Sequence, residues 1–292
     1  MIVHGEETVL IQGITGRQAT FWSERMREYG TKIVGGVNPK KAGTEHLGLP
    51  VWGSAAEAGK AQDKAIDCAC IIVPPAGVKS SALDALEAGI KKLVILTEHV
   101  PVHDTMYFLS QAAEMGASVI GPNTAGIVTP GECSVGFMPA FSERVFKPGN
   151  IGVISRSGSL GTLVCLNFVQ AGYGISAFIG IGGDPVIGTT TRDALQCLDE
   201  DGNTQAVALV GEIGGGMEEE AAEYAATMKK PIVSFMAGAA SPPGKKMGHA
   251  GAIVMGDKGS YAGKKSALEA AGVSVLPSPS MLPQALKEKL SA

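Results

Sequence analysis

One histidine of this chain stands where an imidazole could do covalent chemistry. His249 stands in Gly248-His249-Ala250-Gly251-Ala252, part of a glycine-bounded loop that starts at Gly244 and follows a strand. An imidazole held in such a loop is nucleophilic at neutral pH and accepts a phosphoryl group, provided a carboxylate on its other ring nitrogen fixes the tautomer and balances the cation. Gly211-Glu212-Ile213-Gly214-Gly215-Gly216 ends another expected strand of the same half. Open α/β sheets gather functional groups at the carboxyl ends of their strands, so Glu212 is the carboxylate expected to reach His249. A lone loop histidine is more often incidental than catalytic, and the residues alone leave both roles open. His4, His46, His99 and His103 lie at the terminus or in expected loops, without Cys or carboxylate partners at metal-ligand spacing, so no metal site is expected.

Two glycine-rich turns offer anion sites. Gln12-Gly13-Ile14-Thr15-Gly16-Arg17-Gln18-Ala19-Thr20 follows an apolar run and opens a helix, whose free N–H groups and positive dipole end suit a phosphate. An NAD site places Asp or Glu at the end of the next strand, whereas this chain has Val37-Asn38-Pro39-Lys40-Lys41. Two lysines there suit a ligand with extra phosphate on its adenosine end, as NADP or coenzyme A carries. In the second half, Ser155-Arg156-Ser157-Gly158-Ser159-Leu160-Gly161 runs from a strand into a second helix start, with Ser157 and Gly158 placed to hold an anion. Its spacing is not that of a hydrolase nucleophile elbow.

The elements that must position these residues alternate as βαβ units. Strands are expected at 8–12, 32–37, 69–73, 93–96 and 118–120, with helices near 18–28, 76–89 and 104–115: a Rossmann-like half. The second half repeats the rhythm with strands at 151–155, 175–179, 206–210, 231–236 and 273–276 and helices near 158–171, 189–199, 217–229, 262–271 and 281–290: a flavodoxin-like half. Between them, residues 123–148 show little periodicity and read as an interdomain connection, giving domains at 1–122 and 149–292. The Glu218 to Glu220 run reads as a solvated acidic first turn of a helix.

Composition agrees with an α/β chain of two domains. Of 292 residues, 45% are hydrophobic and 18% charged, and 24 Lys+Arg against 28 Asp+Glu leave a net charge of −4. Disorder is excluded, and scattered basic residues offer no footprint for nucleic acid or an anionic membrane. Five cysteines without a C-x-x-C pair, no bilayer-length apolar run and no signal-like start point to an intracellular, cytoplasmic, soluble protein.

Six collinear blocks carry a resemblance: Gly13-Ile14-Thr15-Gly16, Val37-Asn38-Pro39-Lys40-Lys41, Ser155-Arg156-Ser157-Gly158, Gly180-Ile181-Gly182-Gly183-Asp184-Pro185, Gly211-Glu212-Ile213-Gly214-Gly215 and Gly248-His249-Ala250-Gly251-Ala252. In this order they closely resemble the α subunit of succinyl-CoA synthetase, a family that includes malate-CoA ligases and ATP-citrate lyases. The resemblance implies a CoA-binding first domain, with contacts at Thr15, Gly16, Arg17, Gln18, Lys41, Leu96, Thr97 and Glu98. It implies His249 as the phosphohistidine, Glu212 as the residue that orients it, and Ser157 and Gly158 as the grip on the phosphoryl group. The implied order passes phosphate from ATP or GTP to His249, then to the acid, after which the CoA thiol displaces it.

ATP or GTP with Mg²⁺ is then bound mainly by a partner β subunit with an ATP-grasp fold, in an αβ or α2β2 assembly, since this chain has no Walker A sequence. Succinate-using relatives carry Tyr where this chain has Thr162, which opens the substrate to malate or another small anionic carboxylic acid. A citrate- or malate-type CoA ligase subunit and a CoA-binding regulatory module without catalysis are the alternatives.

Overall fold

The computed structural model describes residues 1–62, 64–241, 248–254 and 259–291. It divides into two compact units, one of Val3–Phe141 with Val186–Gly188, the other of Ser142–Pro185 with the residues from Thr189 on.

The first unit contains β1 (Thr8–Gln12), α1 (Arg17–Tyr29), β2 (Lys32–Val37), β3 (Thr44–His46), β4 (Leu49–Trp52), α2 (Ala55–Ala61), β5 (Cys68–Ile71), α3 (Val78–Glu87), β6 (Lys92–Ile95), α4 (Val102–Glu114) and β7 (Ser118–Ile120), followed by β8 (Gly126–Thr129) and β9 (Cys133–Gly136). Its sheet runs β3-β4-β2-β1-β5-β6-β7. Only β3 is antiparallel within it, paired to β4 at the edge. Reading outward from β1 in both directions gives the doubly wound order of a Rossmann fold, with the reversal between β1 and β5. Strands β1, β5 and β6 are apolar runs because helices cover both faces. Leu10, Ile71, Leu93, Ile95 and Phe108 meet in this core.

Sequence periodicity did not show β3, β4 and α2. The first strand is exposed, the second carries Pro50, and α2 is a seven-residue Ala/Gly/Lys helix with little apolar stripe. The segment read as an irregular connection contains an antiparallel hairpin, Gly126 opposite Gly136 and Thr129 opposite Cys133. This hairpin is buried strand by strand, and Phe137 just beyond it lies 5.4 Å from the Trp22 ring of α1.

The second unit contains β10 (Pro148–Ser155), α5 (Gly158–Gln170), β11 (Ile175–Gly180), α6 (Thr191–Glu200), β12 (Ala206–Glu212), α7 (Met217–Ala225), β13 (Ile232–Ala237), α8 (Tyr261–Ala270), β14 (Ser274–Leu276) and α9 (Leu282–Ser291). These five strands lie in the order β14-β13-β12-β10-β11 and are all parallel. Taken in chain order that is 2-1-3-4-5 from the β11 side, the flavodoxin-like winding, with its reversal between β10 and β12. Helix α6 starts on a reciprocal cap between Thr190 and Asp193.

One expectation is corrected here. Glu220 is exposed, but Glu218 is fully buried and ion-paired with Lys264 of α8, itself fully buried. The acidic run is therefore not a uniformly solvated face.

Candidate active site

The reversal between β10 and β12 sets two side chains against each other. Strand β12 ends on Glu212, and Arg156 directly follows β10. The Arg156 side chain is buried, with Nε 3.4 Å from Glu212 Oε1, and Nη2 donates to the Asp184 carbonyl at 3.2 Å. His249 then closes the cluster. Its Nδ1 lies 2.7 Å from Glu212 Oε2, and because a carboxylate only accepts, Nδ1 carries the proton and donates it. Nε2 is left with the lone pair.

Glycines let the loop approach this closely. A Cβ on Gly183 would fall 2.7 Å from His249 Cγ, so the imidazole rests directly on backbone. Gly214, at φ +92°, meets the Gly251 carbonyl where a Cβ would lie at 2.2 Å. Gly251 N–H donates to the Gly183 carbonyl at 3.1 Å, which fixes the loop over the end of β11. The His249 side chain is 31% exposed, hence half-buried rather than free in solvent. Residues 244–247 of the glycine-bounded loop lie outside the described residues.

The imidazole pKa is raised above its ordinary value. The hydrogen bond to Glu212 is the largest cause, burial opposes it, and the charges of Glu212 and Asp184 raise it while Arg156 lowers it.

Ser157 caps α5, accepting from Leu160 N–H at 3.4 Å, and Gly158 is the first residue of that helix. Neither has a hydrogen bond to His249 or Glu212 among the described residues, although Arg156 directly precedes Ser157. Thr162 is half-buried one turn further on, and its hydroxyl donates to the Gly158 carbonyl at 2.8 Å. Sequence reasoning did not assign roles to Arg156, Asp184 and Gly183. All three stood in quoted motifs, but only the fold brings them to the imidazole.

In the first unit, the Gly13 turn lies at the β1/β5 reversal. Gly13 has φ +88°, and a Cβ there would fall 2.5 Å from the Ile72 carbonyl. Gly16 caps α1 without a side-chain cap, so the helix start is open to a ligand. A cleft of about 280 Å³ is lined by Gly13, Thr15, Gly16, Asn38, Val73 and Ser81 among others. Asn38 Nδ2 donates to Thr15 Oγ1 at 2.6 Å and ties the turn to the end of β2. Arg17, Gln18 and Lys41 are exposed outside the lining. Leu96 is buried at 5% exposure, Thr97 donates to the Val73 carbonyl at 2.7 Å, and Glu98 is exposed. A bare glycine turn, an uncapped helix start and a neighbouring lysine pair fit a phosphate-rich ligand such as coenzyme A. Among the described residues no cluster of three or more His, Cys, Asp or Glu could hold a metal ion, and no helix is long and apolar enough to cross a membrane.

Comparison with known proteins agrees with both halves. Residues 4–99 match the CoA binding domain and residues 154–274 match CoA-ligase. The chain is 46% identical over 290 residues to a succinate–CoA ligase [ADP-forming] subunit alpha 2 of Archaeoglobus fulgidus, covering 99% of each chain. It is 41% identical over 292 residues to an ADP-forming sulfoacetate-CoA ligase subunit of Bilophila wadsworthia, again covering 99% of each. The fold is shared with ATP citrate lyase of Methanosaeta concilii solved with (3S)-citryl-CoA, at TM-score 0.90 and 22% identity, over all of this chain and 51% of that one. Two matched domains in sequence, and close identity along the full length of such relatives, place the chain in the succinate–CoA ligase α-subunit family.

Proposed function

We propose that this chain is the α subunit of an ADP- or GDP-forming acid–CoA ligase that works through a phosphohistidine at His249. The observation that carries this reading is the 2.7 Å contact between His249 Nδ1 and Glu212 Oε2, which leaves Nε2 as the nucleophile. In the proposed reaction a bond forms between Nε2 and the terminal phosphorus of the nucleotide as the P–O bond to the nucleoside diphosphate breaks. Glu212 holds the Nδ1 proton and balances the cation that this creates. The phosphoryl group then passes to a carboxylate oxygen of the acid, breaking the N–P bond. Attack of the CoA sulfur on the acyl carbon releases phosphate, which takes up the thiol proton. The α5 N-terminus at Ser157 and Gly158 supplies positive dipole for the phosphoryl oxygens.

The first unit holds coenzyme A, with Thr15, Gly16, Arg17 and Gln18 at its phosphates, Lys41 at the extra phosphate of its adenosine end, and Leu96, Thr97 and Glu98 beside it. ATP or GTP with Mg²⁺ sits mainly in an ATP-grasp β subunit, in a cytoplasmic αβ or α2β2 assembly. Relatives named for succinate and for sulfoacetate support an acid with a second anionic group, and Thr162 is the substrate-side residue that sets it apart from succinate. The test is CoA-thioester formation by the chain co-expressed with its β subunit, screened over succinate, malate and sulfoacetate. Turnover of one of these acids that His249→Ala abolishes supports the reading. CoA binding without turnover of any acid points instead to a CoA-sensing module.

A further inference from the structure

The buried ion pair between Glu218 and Lys264 lies against the backbone of the residue that orients His249. Both side chains are wholly excluded from solvent. Lys264 Nζ donates to the Glu212 carbonyl at 2.8 Å, to the Gly214 carbonyl at 2.7 Å, and to Glu218 Oε2. An ammonium has three donors, and all three are used here. Glu218 Oε1 accepts from the Glu212 N–H at 3.3 Å. The pair therefore grips Glu212, the last residue of β12, by both backbone polar groups. Gly211 belongs to the same arrangement, since a Cβ there would fall 2.8 Å from Glu218 Oε1.

The contacts reach the histidine loop from a second direction. Gly214, gripped by Lys264, packs on Gly251 and donates to the Gly259 carbonyl at 2.8 Å, and Gly259 N–H donates to Glu219 Oε1 at 3.1 Å. Helices α7 and α8 thus hold both the end of β12 and the residues flanking the His249 loop. A buried ion pair is weak as a source of net stability, because desolvation offsets most of the attraction. Its usefulness here lies in geometry.

We propose that Lys264 and Glu218 are positioning residues for the phosphotransfer, acting through Glu212: they fix its backbone so that its carboxylate meets His249 Nδ1. This rests on the phosphohistidine reading. Among the described residues, the charged groups that act on the imidazole are Glu212 from β12, Arg156 from the end of β10 and Asp184 from the segment after β11.

The test is a double-mutant cycle on the full chain together with its β subunit. Lys264→Met with Glu218→Met removes both charges and leaves neither buried alone. Its readouts are the rate of His249 labelling from γ-³²P nucleotide, the His249 titration midpoint by NMR of ¹³C-histidine-labelled chain, and CoA affinity. The expected result is labelling slowed roughly 10- to 100-fold, as for loss of partners that orient a functional side chain. The midpoint falls and CoA affinity stays within about twofold, as expected of an independent site. Introducing Lys264→Met and Glu218→Met into Glu212→Gln then costs nothing further, because the pair acts only through that carboxylate. Wild-type rate and midpoint in a folded variant, or full additivity with Glu212→Gln, overturns the proposal. Amide exchange of Glu212 in the wild-type chain gives a check independent of whether the variant folds: fast exchange also overturns it, and strong protection is required. If the wild-type chain itself takes no label, the phosphohistidine reading fails instead.

Discussion

Glu212 stands between a cation and an imidazole: Oε1 lies 3.4 Å from Arg156 Nε, and Oε2 lies 2.7 Å from His249 Nδ1. One carboxylate therefore faces a buried guanidinium with one oxygen and holds the His249 imidazole, the proposed nucleophile, with the other. This relationship gives the imidazole its raised pKa and leaves the lone pair on Nε2, the atom proposed to take the phosphoryl group.

The first prediction concerns pH. Attack needs a neutral imidazole, and the raised pKa keeps the imidazolium to higher pH than an ordinary histidine would. The rate of His249 phosphorylation therefore rises with pH through a midpoint above about 6.5. Glu212→Gln removes the largest raising cause, so the midpoint moves down. The plateau falls as well, by roughly 10²-fold, because the phosphoimidazolium loses its counter-charge. Single-turnover labelling across pH 5 to 9 measures both. A midpoint that stays in place in Glu212→Gln contradicts the assigned cause.

The second concerns the surface beneath the ring. A methyl on Gly183 would sit 2.7 Å from His249 Cγ, so Gly183→Ala must push the imidazole off its seat. Overpacking of this kind costs about 1–3 kcal/mol, measurable as a lowered midpoint of thermal unfolding. Phosphorylation is expected to fall sharply while CoA binding to the other unit is unchanged. Full labelling in Gly183→Ala would mean that the seated geometry is not the reactive one.

The third separates the adenosine end of the nucleotide. Lys41 is exposed beside the glycine turn and is proposed to meet the extra phosphate of coenzyme A. Lys41→Ala should weaken CoA binding by about 1.5 kcal/mol, the scale of one hydrogen bond to a charged group. Dephospho-CoA lacks that phosphate, so its affinity should not change. Calorimetry with both ligands decides, and equal losses for the two would remove Lys41 from that role.

The fourth concerns the thiols. Burial pushes Cys70 and Cys133 up to about 12 and raises Cys68 and Cys165 as well, whereas Cys197 is half-buried. A thiol reagent should modify Cys197 first in the native chain and the other four only on unfolding. Mass spectrometry of the labelled peptides reads this directly.

Much of this was legible because glycines punctuate the site. Glu212 stands in a glycine-bounded block at the end of β12 and His249 in a glycine-bounded loop that follows β13, so their meeting follows from the parallel-sheet reading. Arg156 was visible only as part of a helix start, since its burial depends on β11 and β12, which follow it by tens of residues. Glu218 looked like one of three solvated acids. Its partner Lys264 is 46 residues away on another helix, a distance that no local pattern bridges. The β8–β9 hairpin was hidden by Pro130 in its turn and by its short strands, and β3 and β4 by an exposed, Pro-containing edge. Local propensity marks elements well where apolar runs are long, and poorly where tertiary neighbours supply the burial.

The most direct measurement is the stoichiometry and position of label taken from γ-³²P nucleotide by the chain co-purified with its β subunit. The expected result is one acid-labile, base-stable phosphate per chain, absent in His249→Ala and discharged by CoA together with the acid substrate. Label that persists in His249→Ala, or no label on the wild-type chain in a complex that still makes the thioester, would contradict the phosphohistidine at His249.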